Sequence, residues 1–190
     1  MLPQVVVTSK DSLLPVSLAE AKQHLRLDGD HMDDVVLDKL QAAVDYCERR
    51  VARSLRLSHT LTQTYQGWPT LVRFERQPVK SITSITYYDA NNAQQTLAAS
   101  NYLLIASTEA SATFCWDANF SVPTVYDRGD AVTITYVAGY ATITDVPHAA
   151  REAIKLKLGM LMSDMDDRSM EQHRRAIEDL LGSVETGMLR

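Results

Sequence analysis

Along the chain, apolar residues recur at two different periods, and the change of period divides the sequence. Ser17-Leu18-Ala19-Glu20 has the form of a capping box, in which the hydroxyl accepts the amide three residues on and the carboxylate reaches back. It predicts a short helix from Ser17 with Leu18, Ala21, Leu25 and Leu27 on its apolar stripe, ended by Asp28-Gly29-Asp30. A second helix is predicted from Met32 to Leu55, since Val36, Leu40, Val44, Cys47, Val51 and Leu55 follow at three- and four-residue steps. At 1.5 Å per residue such a helix is about 35 Å long.

From Thr60 the period falls to two. Leu61 to Tyr65, Leu71 to Glu75 and Val79 to Tyr88 read as strands, the first two around a Gly67-Trp68-Pro69 turn. Asp89-Ala90-Asn91-Asn92 supplies a turn, after which Gln95 to Leu97 and Tyr102 to Ile105 are expected to pair back. Residues 107–129 read as a loop with one short strand at Thr113 to Trp116. Ala131 to Tyr140 alternates again, with Val132, Ile134 and Tyr136 on one face and Gly139 ending the strand.

Helix returns after Pro147, expected to reach Met165. It carries two apolar stripes, Ala150-Ile154-Leu158-Leu161-Met165 and Ala153-Leu156-Met160, so it requires two neighbours. A last helix is expected over Ser169 to Leu181, with Met170, Ile177, Leu180 and Leu181 inward and Gly182 as its stop. Its outer face offers Glu171–Arg175, Arg174–Glu178 and Arg175–Asp179 pairs. A short N-terminal strand, Gln4 to Thr8, completes the reading. The fold class is therefore α+β: helices from residues 1–59 and 141–190 form a bundle, and 60–140 is an inserted, mainly antiparallel β module.

Composition narrows the function. The chain has 190 residues, 45% hydrophobic and 23% charged, which places it among globular proteins and excludes disordered and collagen-like classes. A formal net charge of -5 argues against non-specific gripping of duplex nucleic acid, which needs clustered Lys and Arg. No run reaches the roughly 18 apolar residues of a membrane span, and the N-terminus lacks the basic leader of a signal peptide, so synthesis and folding in a cytoplasm are expected. Cys47 and Cys115 lie outside any CxxC pair and read as buried free thiols.

Candidate chemistry is sparse. Asp28-Gly29-Asp30-His31-Met32-Asp33-Asp34 resembles a calcium loop only superficially, because the fifth position from Asp28 is Met32 and the sixth is Asp33. Capping by Asp30 explains it better. The five histidines show no HExxH spacing, and no nucleophile elbow, P-loop or dinucleotide fingerprint is present. The chain is not read as an enzyme, and no catalytic, cofactor-binding or metal-ligating residue is assigned. Trp68, Trp116, Tyr87, Tyr88, Tyr136 and Tyr140 form either a platform for a sugar or peptide, or core packing. A hydrolase assembled from distant Asp and His residues is a third reading. Arg49, Arg53 and Arg56, at i, i+4 and i+7, make a basic stripe on the second helix, which is either a solvated face or a contact with a neighbouring subunit.

In this order, the blocks VSLAEAKQHLRLD, ERRVARSL, QPVKSITSITYYDANNAQQTL, VTITYVAGY and VPHAAREAIKLKLGMLM resemble the bacteriophage head-tail connector proteins, also called adaptor or head-completion proteins. The likeness is to the longer branch with a β insertion, which also occurs in gene transfer agents. That resemblance, covering about Val16 to Met165, implies a structural virion protein forming a ring of about a dozen copies. The ring would dock on the portal, present a surface to the tail or its stopper, and let DNA through without sequence-specific binding. No cofactor and no membrane are implied. Interface candidates are Arg49, Arg53, Arg56, Met188 and Leu189; Val5 to Val7 is a candidate added strand.

Overall fold

The computed structural model describes residues 4–11, 13–107, 112–163 and 166–186. Its elements, in chain order, are β1 (Gln4–Lys10), α1 (Leu18–Leu25), α2 (Asp33–Val51), β2 (His59–Tyr65), β3 (Val79–Tyr88), β4 (Gln94–Thr96), β5 (Tyr102–Ser107), β6 (Ala112–Trp116), β7 (Val132–Ala138), α3 (His148–Met162) and α4 (Asp167–Thr186). Four helices and a mainly antiparallel sheet make it α+β, as the alternation of periods implies. The chain divides into two compact units, Met1–Asp11 with Ser58–Gly139, and Ser12–Leu57 with Tyr140–Arg190. The N-terminal segment, expected with the helices, instead goes with the sheet because β1 pairs with β2.

In the helical unit, Ser17 caps α1 as its sequence predicts. Its Oγ accepts from Glu20 N at 3.2 Å and Glu20 Oε2 accepts from Ser17 N at 2.9 Å. The helix ends at Leu25, before the Asp-Gly-Asp turn, with Arg26 left-handed at φ 55. Asp30 does not cap α2 with its side chain: the N-cap is Met32, and it is the Asp30 carbonyl that accepts from Asp33 N at 3.0 Å. Val36, Leu40, Val44, Cys47, Ile154, Leu158 and Leu181 share one core. The α3 helix packs against both α2 and α4, with Ala150, Ala153, Ile154 and Leu158 fully buried, but Leu161, expected on the first stripe, is exposed.

Several helix ends differ from expectation: α3 stops at Met162, and Met165, where it was expected to end, lies outside the described residues. The α2 helix stops at Val51 rather than Leu55, with Ala52 left-handed at φ 50. The buried Glu48 carboxylate takes the amides of Leu55 and Arg56 at 2.8 and 3.1 Å, so those amides leave the helical ladder. The α4 helix begins at Asp167 and runs through Gly182 to Thr186, because Leu181 and Val184 continue its buried stripe and outweigh the roughly 1 kcal/mol propensity cost of glycine. Met170, expected inward, is exposed.

In the sheet unit, the five-stranded order is β1-β2-β7-β3-β4, antiparallel throughout, with β5 and β6 as a separate hairpin. Leu61, Ile85, Val132, Ile134 and Tyr136 form its buried face, packed with Val72, Phe74 and the inward side chains Tyr102, Leu104, Phe114 and Trp116. The expected strand at Leu71 to Glu75 is absent. Its alternation is real, since Val72 and Phe74 are buried while Leu71, Arg73 and Glu75 are exposed, but the segment packs onto the sheet without joining a ladder. Tyr102 to Ile105 pairs with β6, not back onto β3. The strand ending at Gly139 is as expected: β7 stops at Ala138, and Gly139, at φ 139, donates to Pro78 O at 2.8 Å.

Candidate assembly surfaces

The basic end of α2 is a brace within the helical unit rather than a stripe. Because α2 ends at Val51, Arg53 and Arg56 leave the helix and are only 2% and 6% exposed, while Arg49 stays outside. Arg56 Nη2 donates to Asp45 Oδ1 at 2.7 Å, and its Nε lies 3.6 Å from Glu48 Oε2. Arg53 Nη1 reaches Val184 O on α4 at 3.5 Å, and Arg50 donates to Glu178 at 2.7 Å. Glu178 is thereby taken from the expected pair with Arg174; Arg174 and Arg175 both turn to Glu171. Burial raises the Glu48 carboxyl above its ordinary value, against the opposing pull of the Arg56 amide, the Arg56 guanidinium and the Leu55 amide. Met188 and Leu189 lie outside the described residues.

The aromatic residues are spent internally. Trp68 meets Tyr87, Trp116 and Phe120 with ring centroids 5.2, 5.4 and 5.7 Å apart. Its indole N–H donates to Pro123 O at 2.8 Å, and that of Trp116 to Pro69 O at 3.2 Å. Tyr136 is buried against Phe74 at 4.8 Å, and burial pushes its hydroxyl up to about 12. Tyr88 carries the Arg128 guanidinium on its face at 3.6 Å, and Tyr140 belongs to the helical core. The six rings therefore form no common platform, and the signal was ambiguous because packing and ligand stacking use the same residue types.

A cavity of about 350 Å³ in the helical unit is lined by His24, Leu25, Leu27, Leu156, Gly159, Met162, Ser163 and His173. His173 Nδ1 lies 2.9 Å from Ser169 O, so that nitrogen carries the proton. Ser163 Oγ donates to Gly159 O at 2.6 Å. The walls mix Leu25, Leu27, Leu156 and Met162 with the polar His24, Ser163 and His173, and among the described residues no three His, Cys, Asp or Glu side chains converge as metal ligands. Among the described residues no helix is long and apolar enough to cross a membrane.

Among the described residues the sheet unit has two open edges. There β1, the outermost strand, has a ladder with β2 alone, and Val6 and Val7 are 49% and 38% exposed. At the other edge β4 pairs with Thr86 to Tyr88 of the ten-residue β3, and Leu97 just beyond it donates to Ile85 O at 2.8 Å. The hairpin turns Leu103 and Ile105 outward, 58% and 60% exposed. Such surfaces suit assembly more than catalysis.

Residues 15–114 match the family described as phage gp6-like head-tail connector protein. No curated protein matches the chain. Among solved structures, the chain is similar to one in the neck of an empty gene transfer agent particle computed with C6 symmetry, at TM-score 0.70 and 21% identity over 95% of this chain and 94% of that one. It is also similar to one in the native neck computed with C12 symmetry, at TM-score 0.65 and 18% identity over 97% and 94%. A third, in the virion of the native particle, gives TM-score 0.68 and 21% identity over 86% of each chain. At these identities the likeness is one of fold.

Proposed function

Because this chain belongs to the phage gp6-like head-tail connector family, we propose that it forms a homo-oligomeric ring of about a dozen subunits at the head-tail junction of a virion, between portal and tail. The protein is a structural connector, not an enzyme. In the ring, DNA passes through the central channel without sequence-specific binding, and assembly takes place in the bacterial host cytoplasm. The observation that carries this reading is the family match, which runs from before α1 through most of the β insertion. Two features support it. The similar folds occur in particle necks, one computed with twelvefold symmetry, and a net charge of -5 keeps phosphate backbones from adhering.

A closed ring needs a heterologous interface, one patch on each subunit fitting a different patch on the next. Arg49 stays a candidate for such a contact because it is exposed at the end of α2. Electron microscopy of the purified protein, alone and mixed with portal-bearing heads, tests the reading. Closed rings in solution or at the portal vertex are expected; a protein that stays monomeric and never associates with heads would overturn it. The binding-module reading gains no observation, since the indole donors of both tryptophans are already engaged.

A further inference from the structure

Building on the ring reading, we propose that neighbouring copies join edge to edge, with β1 of one copy pairing antiparallel to residues 81–84 of β3 in the next. Edge strands that stay apart carry proline, inward-pointing charge, a bulge or a covering segment. Residues 4–9, QVVVTS, hold no proline or charge and, among the described residues, only the bulge between Val7 and Ser9; their middle is a run of three valines with Val6 and Val7 exposed. Among the described residues no strand flanks residues 81–84 of β3 on the side away from β7, since β4 begins its ladder at Thr86.

Direction and register select a second copy as the occupant. The strands β1, β2, β7 and β3 alternate in direction, so β3 runs opposite to β1. We place the ring axis along the strands; rotation about such an axis preserves direction, so the next copy's β1 arrives antiparallel to β3, as a ladder requires. Cyclic symmetry also has no axial shift, so residues at one level across the sheet meet at the junction. Val7 pairs with Leu61, Leu61 with Tyr136 and Tyr136 with Ile82; the route from Val6 runs through Thr62 and Thr135 to Ser84. Val6 to Ser9 is thus level with residues 81–84, which β4 leaves open, whereas Val5 is level with Ile85, whose carbonyl already accepts from Leu97 N. Val7 and Ile82 lie on the core face, so their contact covers an exposed valine and a half-buried isoleucine. The β1 bulge between Val7 and Ser9 lies level with the segment between the two β3 bulges, so both edges bend in the same region.

The test is disulfide trapping with Val6→Cys and Ser84→Cys in a Cys115→Ser background, run on the free protein at assembling concentrations and on assembled particles. Directly opposed strand positions have Cβ atoms about 5 Å apart, close enough to bridge with slight adjustment. The double variant is expected to give a ladder of disulfide-linked multimers under oxidation that collapses on reduction, and each single variant to stay monomeric on the gel. Self-linked dimers from Val6→Cys alone would mean a two-fold β1–β1 contact and overturn the proposal. Cross-links to a different virion protein would do the same. Rings seen by microscopy without the ladder would overturn the edge contact and leave the ring reading intact; no rings at all, free or on heads, would remove both. As a second measurement, Val7→Asp is expected to raise the concentration needed for assembly at least tenfold while leaving the circular dichroism spectrum of the subunit unchanged. Unaltered assembly would count against the contact.

Discussion

Glu48 shows how one carboxylate ends a helix and organises the turn beyond it. It accepts two backbone amides and stands beside the Arg56 guanidinium in a nearly water-free site. Glu48→Ala leaves those donors unanswered and is expected to cost about 3 kcal/mol in urea unfolding, with Glu48→Gln costing less. Because its folded pKa is raised, the native state holds this proton more tightly than the unfolded chain does. Stability from this group is therefore full below the ordinary value of 4.5 and falls as pH rises through the folded pKa; the decline should vanish in Glu48→Gln. Glu20 works in the opposite sense, lowered chiefly by the Ser17 amide, so its contribution is present above 4.5 and lost as pH falls. Burial pushes the Cys47 thiol up to about 12, whereas Cys115, expected to be buried, is only half-buried on the hairpin. A thiol reagent should label at most Cys115 in the native protein and both cysteines after denaturation. The Ser17–Glu20 cap was legible in the sequence because its partners lie three residues apart. The fate of Arg53 and Arg56 was not, because it depends on Glu48 capturing amides seven and eight residues away.

At the scale of elements, hydrophobic period located the helices and most of the strands, and their ends were set by packing. In α4, Gly182 lies within the helix, and a methyl group added there meets nothing within 4 Å. Gly182→Ala is therefore expected to stabilise the protein by about 0.5–1 kcal/mol, read as a higher thermal midpoint. An unchanged or lower midpoint would mean that the glycine is needed for more than its lack of a side chain. The segment around Val72 and Phe74 has strand-like alternation because period two reports one buried face, and burial does not require a ladder. For the same reason Tyr102 to Ile105 and Thr113 to Trp116 were both recognisable as strands while their pairing with each other was not: pairing choice depends on which side chains fill the space over the sheet, here Leu104, Phe114 and Trp116.

For the whole molecule, two cores divide the chain, one among the helices and one between the sheet and its hairpin. Under the ring reading, Arg49→Glu should weaken rings in negative-stain images and in native mass spectrometry without changing subunit stability, since Arg49 is exposed. Rings of undiminished stability would remove Arg49 from the interface. What the sequence by itself determined were the local and periodic features: the capping box, the helix faces, the alternating strands, and the order of blocks that carries the family resemblance. Each cap, face, strand and block is written in residues a few positions apart, and the order of the blocks is read directly along the chain. Only the tertiary structure decided that β1 joins the sheet, that the basic end of α2 turns inward, and that β4 leaves part of β3 open. Those outcomes depend on contacts beyond the reach of one helical turn or one strand repeat, from Glu48 with Leu55 to Arg53 with Val184, where many arrangements satisfy the same local pattern and packing selects one.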